Sequence, residues 1–75
     1  MLIEEFITDF VDQFDDTDPS EIHAETEFHD LDEWSSLTAM GIIALSKTKY
    51  GKTITGKEIS HCNTVRDLFN LIESK

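Results

Sequence analysis

Ile3, Phe6, Ile7, Phe10, Val11 and Phe14 recur at steps of three and four, with Glu4, Glu5, Asp9 and Asp12 between them. This spacing gathers the apolar side chains on one stripe of a 3.6-residue helix, so a first amphipathic helix is predicted over about residues 2 to 14. The run Asp15-Asp16-Thr17-Asp18-Pro19-Ser20 ends it, because proline breaks the hydrogen-bond ladder and short polar side chains compete for backbone groups. A long acidic loop is expected next. Its apolar residues Ile22, Phe28, Leu31 and Trp34 are too irregular for a helix and are expected to pin the loop to the core.

Helical spacing returns at Leu37, Met40, Ile43, Ala44 and Leu45, with Ile42 widening the apolar sector. A second helix should start at Ser35 or Ser36 and stop near Tyr50-Gly51, where glycine takes the left-handed turn. Lys47 and Lys49 complement the negative end of its dipole. The β-branched stretch from Thr53 to Ser60 has no second strand to pair with, so it reads as a loop entering one helical turn near residues 57 to 60. Thr64-Val65-Arg66-Asp67 resembles a capping box with Asp in the Glu slot, and Val65, Leu68, Phe69 and Ile72 form the stripe of a last helix. The expected fold is all-α: a small antiparallel bundle of three main helices plus a short third helix, in one domain over residues 1–75.

Composition limits what such a bundle can do. A chain of 75 residues supports one small core and no deep multi-residue active site. Its formal charge of −10 argues against binding a phosphate backbone and for partners with basic surfaces. The charge is polarised: residues 1–46 hold 13 Asp and Glu and no Lys or Arg, whereas residues 47–75 hold all six basic residues. The amino-terminal segment has no basic stretch before an apolar run, and no run is long enough to span a bilayer, so a cytoplasmic monomer is expected. Cys62, alone, forms no internal disulfide and reads as a packing residue.

The segment Leu31-Asp32-Glu33-Trp34-Ser35-Ser36-Leu37-Thr38-Ala39-Met40 resembles the attachment motif of acyl and peptidyl carrier proteins, in which Asp-Ser-Leu opens the second helix. Ser36-Leu37 match the Ser-Leu pair, and the similarity extends over nearly the whole chain. The resemblance implies a four-helix bundle with no catalytic activity, carrying 4'-phosphopantetheine on Ser36 and acyl groups as thioesters. It also implies a phosphopantetheinyl transferase and acyl-handling enzymes as partners. Physical chemistry agrees with the placement: a serine at a helix start exposes its hydroxyl, and the free amides of the first turn favour a phosphate. Leu37 is expected to face inward and anchor the helix start. Leu37, Met40, Ile43 and Ile59 are expected to line or flank a cleft for a short acyl group, while Asp30, Asp32 and Glu33 guide partners.

Two departures from the family pattern stand out. Ser35 occupies the place of the Asp that helps contact the transferase, with Asp32 and Glu33 as candidate substitutes. The second helix, where the family displays carboxylates, instead holds Thr38, Gly41, Ser46, Lys47 and Lys49. A dedicated fatty-acid-like, polyketide or aminoacyl pathway is therefore expected. Gly41 and Ala44 either leave room beneath this helix or admit close packing against another.

Other constellations are weaker. Ser36 could be a plain helix cap, and Ser35 is the second candidate for attachment. Asp16, Asp18, Ser20 and Glu27 fall on calcium-loop positions, but Glu21 stands where the bend needs glycine and Pro19 constrains the middle. His23, His29 and His61 lack metal-ligand spacing and are expected in solvent. Trp34 could serve as a partner hot spot or cover the bundle end beside Ser36. The rival reading of a different class is an acidic protein-interaction module or nucleic-acid mimic without a prosthetic group. Nothing in the order or spacing of Ser, His and Asp suggests a hydrolase.

Overall fold

The computed structural model describes residues 2–75. Four helices form it: α1 (Ile3–Val11), α2 (Ser36–Tyr50), α3 (Gly56–Ser60) and α4 (Val65–Glu73). Phe6 and Phe10 of α1, Ile42 of α2, Ile59 of α3, and Val65, Leu68 and Ile72 of α4 are buried in one core. Phe6 packs on Phe69 at 5.8 Å between ring centroids, joining α1 to α4. No helix among the described residues is long and apolar enough to cross a membrane.

α1 stops at Val11, short of the expected residue 14. The amides of Gln13 and Phe14 donate three residues back, to Phe10 and Val11, so the chain tightens after the last α-turn and still delivers Phe14 to the core. The long loop contains two single turns of 3-10 helix, Pro19–Glu21 and Phe28–Asp30, that periodicity did not reveal. Its apolar residues pin it as expected, with Ile22 and Phe28 buried and Leu31 and Trp34 half-buried. Backbone contacts add to this: the Val65 amide donates to the Thr26 carbonyl and the Arg66 amide to that of Ala24. Cys62 lies in the core, where burial pushes its thiol pKa up.

The phase of α2 differs from expectation. Thr38, Ile42 and Ser46 are its buried line, whereas Leu37 is 77% and Met40 64% exposed, and Ala44 is exposed too. Apolar residues lie all around this helix, so its pattern does not select a face. The buried hydroxyls are satisfied locally: Thr38 donates to the Glu33 carbonyl (3.1 Å) and Ser46 to that of Ile42 (3.0 Å). Beside Gly41 lies the Gln13 side chain from just past the end of α1: a β-carbon there would stand 2.7 Å from its Oε1, a contact that the flexible end of Gln13 can relieve. Gly51 ends α2 at φ 67°, a left-handed geometry that costs any side chain with a β-carbon.

Polar clasps close the bundle. Tyr50 and Lys49 both donate to the Asp9 carboxylate, Lys49 at 2.7 Å. Lys49 and then Tyr50 hold Asp9 below the usual carboxylate range, while burial together with Asp9 pushes the Tyr50 phenol up. Capping boxes start α3 (Thr55 with Glu58) and α4 (Thr64 with Asp67). Asp67 is held low by the Thr64 and Asn63 amides, Glu58 chiefly by Lys75, and Asp18 by Ser20.

Every carboxylate with a resolved shift is therefore depressed in the folded state. Such groups stabilise fully above the unfolded-state pKa, and the contribution is lost as pH falls through the folded value. The thermal midpoint is expected to decline steadily below about pH 4, the ordinary carboxylate range. Asp67→Asn should flatten that decline in melts followed by circular dichroism; an unchanged acid slope would contradict the capping assignment.

Candidate functional site

The start of α2 is set by Ser35. Its backbone is extended (φ −155°, ψ 175°) and its Oγ accepts a long hydrogen bond from the Thr38 amide (3.4 Å). Ser35 thus takes the cap position, and Ser36 becomes the first helical residue. Ser36 is exposed, and its hydroxyl makes no hydrogen bond among the described residues. The two serines, equivalent as letters, differ in structure: one hydroxyl is used by the helix and the other is free.

The helix start rests on Trp34. Its ring lies 4.7 Å from Phe28 and stacks at 13° over Phe10, with centroids 6.3 Å apart. It covers the bundle end beside Ser36, one of the two roles expected for it. Leu37 does not provide the anchor, because capping by Ser35 turns Thr38 inward and leaves Leu37 outside.

An open cleft of about 450 Å³ adjoins Ser36, lined mainly by apolar atoms of Trp34, Ala39, Met40, Ile43 and Ile59, with His29, Ser35, Gly56 and Ser60 at its rim. Three of the four residues expected there are present, and Leu37 is not. His29 is exposed as expected, but it is also placed: its Nε2 donates to the Cys62 carbonyl (3.1 Å), and its ring meets Trp34 edge-on at 5.5 Å. Pattern reading missed this residue at the cleft, because the contact to Cys62 spans 33 positions. His23 and His61 lie in solvent.

The carboxylates before Ser36 divide into two groups. Asp30 and Asp32 are exposed, and the three ion pairs among the described residues use Asp9, Glu25 and Glu58 instead. Glu33 is committed to structure. Its carboxylate accepts from the Thr17 hydroxyl (2.7 Å) and from the amides of Asp15 (2.6 Å) and Asp16 (3.0 Å), and the Thr17 bond is the first reason its pKa is lowered. It ties the chain leaving α1 to the chain entering α2. Of the calcium-like spacing, Asp18 spends its carboxylate capping a 3-10 turn through the Ser20 amide, and the backbone of Glu27 bridges to Thr64.

Comparison with known proteins gives one match. The family model described as "Phosphopantetheine attachment site" matches residues 5–72. No curated protein and no solved structure matches the chain. The matched span runs from α1 into α4 and contains the free serine, the cleft and the acidic approach to them. The chain thus belongs to the phosphopantetheine-binding carrier family, whose members hold 4'-phosphopantetheine covalently and are not themselves enzymes.

Proposed function

We propose that the protein is a type II acyl carrier whose 4'-phosphopantetheine is attached to Ser36. The observation that carries this reading is the contrast between the two serines: Ser35 Oγ caps α2, whereas the Ser36 hydroxyl is exposed and unengaged at the first helical position. The site suits the group, since the amides of the first turn of α2 favour a phosphate. When bound, the group supplies a terminal thiol that carries acyl cargo as a thioester. The chain's own residues supply position: Trp34 fixes the helix start, and Met40, Ile43 and Ile59 offer an apolar surface to a short acyl group.

Attachment needs no base from this chain. In the transfer, Ser36 Oγ forms a bond to the phosphorus that bears the pantetheine of coenzyme A. The pyrophosphate P–O bond breaks, the adenosine bisphosphate half leaves, and a group on the transferase takes the hydroxyl proton. Exposed Asp30 and Asp32 steer basic enzymes to this end of the molecule. The absence of any carboxylate from α2 favours a dedicated fatty-acid-like, polyketide or aminoacyl pathway over the commonest one. A reducing, cytoplasmic setting suits the lone Cys62 thiol.

The test is incubation with coenzyme A and a broad-specificity phosphopantetheinyl transferase, followed by intact-mass measurement. One added arm, mapped to a Ser36 peptide, is expected; an unmodified protein would overturn the reading. The Ser35 position yields a second expectation. Ser35→Asp keeps an N-cap acceptor and adds a charge favoured at a helix start, so it should preserve the fold and raise kcat/KM for transfer about threefold to tenfold. A rate at or below wild type would show that Ser35 does not limit recognition.

A further inference from the structure

Apart from Ser36, three polar side chains stand at the cleft: His29, Ser35 and Ser60. Each spends its hydrogen on the protein. Nε2 of His29 lies 3.1 Å from the Cys62 carbonyl, which can only accept, so Nε2 carries the proton and Nδ1 of the neutral ring keeps a bare lone pair. The Ser60 hydroxyl donates to the Lys57 carbonyl (2.6 Å), which leaves its oxygen as an acceptor. The Thr38 hydroxyl gives its hydrogen to the Glu33 carbonyl, so Ser35 is the donor at the 3.4 Å contact between the two hydroxyls. These three side chains therefore offer the cleft acceptors and no free donor hydrogen. Of the three, His29 is the best fixed, with its Nε2 tied to Cys62 and its ring 4.4 Å from Phe28 and edge-on to Trp34.

Such a rim discriminates among acyl groups. A keto or carboxylate oxygen on the cargo would meet other acceptors, and neither Lys nor Arg lines the cleft to receive it. A hydroxyl brings the missing hydrogen. An ammonium would donate too, but it would carry a charge against the apolar walls of Trp34, Ile43 and Ile59 at a greater desolvation cost.

We propose that His29 is a specificity-determining residue for the cargo: its Nδ1 accepts a hydrogen bond from a hydroxyl near the thioester of a short hydroxyacyl group. The selection rests on the arm being attached at Ser36, which tethers the cargo beside the cleft. Trp34, Ile43 and Ile59 receive the apolar part of the group, and His29 decides which groups gain a further contact there.

The experiment loads the protein from butyryl, 3-hydroxybutyryl and 3-aminobutyryl coenzyme A with a broad-specificity transferase, giving three forms that differ at one carbon of the cargo. Cleavage of each thioester by hydroxylamine is followed by intact mass in wild type and in two variants. His29→Gln retains an N–H that can donate to the Cys62 carbonyl, and His29→Phe retains a ring against Trp34, so each keeps one of the structural contacts. Both should speed cleavage of the 3-hydroxybutyryl form about threefold to tenfold, the range of one hydrogen bond, and leave the butyryl form unchanged. In wild type the Nδ1 resonance of His29 should move upfield on loading with 3-hydroxybutyryl and stay in place with butyryl. Unchanged cleavage of the 3-hydroxybutyryl form in the variants would overturn the proposal. Equal acceleration of the butyryl form would also overturn it, by showing that His29 only supports the cleft wall. A larger effect on the 3-aminobutyryl form would overturn the hydroxyl assignment in favour of an ammonium. A wild-type chain that gains no arm even from coenzyme A would overturn the Ser36 reading itself, an outcome distinct from a loaded protein whose thioester ignores His29.

Discussion

Ser36→Ala should abolish arm attachment, whereas Ser35→Ala should leave attachment in place and weaken the fold by about 1 kcal/mol, the usual contribution of a helix N-cap. The two effects separate because the hydroxyls do different work. Ser35 Oγ receives the Thr38 amide, one of the donors left without an intrahelical partner at the start of α2. Its loss costs stability but removes nothing a transferase must react with. Ser36 Oγ has no partner among the described residues and lies in solvent beside the cleft, so its loss should leave the denaturation midpoint unchanged. Intact-mass measurement after arm transfer and urea titration of both variants make the check. Continued modification of Ser36→Ala would move the site to Ser35, and an arm on neither variant would mean that the transferase requires the pair.

From letters alone Ser36 is favoured over Ser35 because Leu37 follows it, and the structure adds how differently the two hydroxyls are used. α1 and α4 were legible because their apolar stripes are strict: Phe6 and Phe10, and Val65, Leu68 and Ile72, are the positions that the spacing selects and the core buries. The capping box at Thr64 and Asp67 was legible for the same reason, being a contact over three residues. The extent of α2 could be read from a serine start and a glycine stop, but its face could not. Leu37, Met40, Ile42, Ile43, Ala44 and Leu45 surround the axis, and the choice among faces falls to contacts from elsewhere, such as Thr38 reaching the Glu33 carbonyl and Gln13 lying against Gly41. The two 3-10 turns are too short to leave a period. Glu33 looked like a free surface charge because its partners lie 16 to 18 residues away, beyond the reach of local reasoning. Positions with a local cause could be read, as with Ser35 at the start of α2 beside exposed Ser36, whereas the placement of His29 at the cleft depends on closure of the bundle.

That dependence makes Phe28→Ala the most damaging core substitution for function. Phe28 is fully buried in the loop, and its ring meets Phe10 of α1 at 5.9 Å, Trp34 at 4.7 Å and His29 at 4.4 Å. It therefore supports both the ring on which the start of α2 rests and the histidine at the cleft rim. Truncating a buried phenylalanine costs about 3–5 kcal/mol, while a domain of this size has only about 4–11 kcal/mol in total. The thermal midpoint should drop by roughly 12 to 40 °C, since each kcal/mol is worth about 4–8 °C at this length. Arm transfer should weaken as well, at temperatures where helical circular dichroism persists, because Ser36 is then offered from a helix start that has lost its base. Trp34 emission should shift to the red in the same range, reporting that the ring has left its seat. Phe28→Leu, which fills most of the volume, should restore the midpoint by more than half. If Phe28→Ala melts within a few degrees of wild type, the loop is not held by this ring. If it melts early but Trp34 emission and arm transfer remain normal below the transition, the bundle end is supported by Phe10 and Phe14 alone.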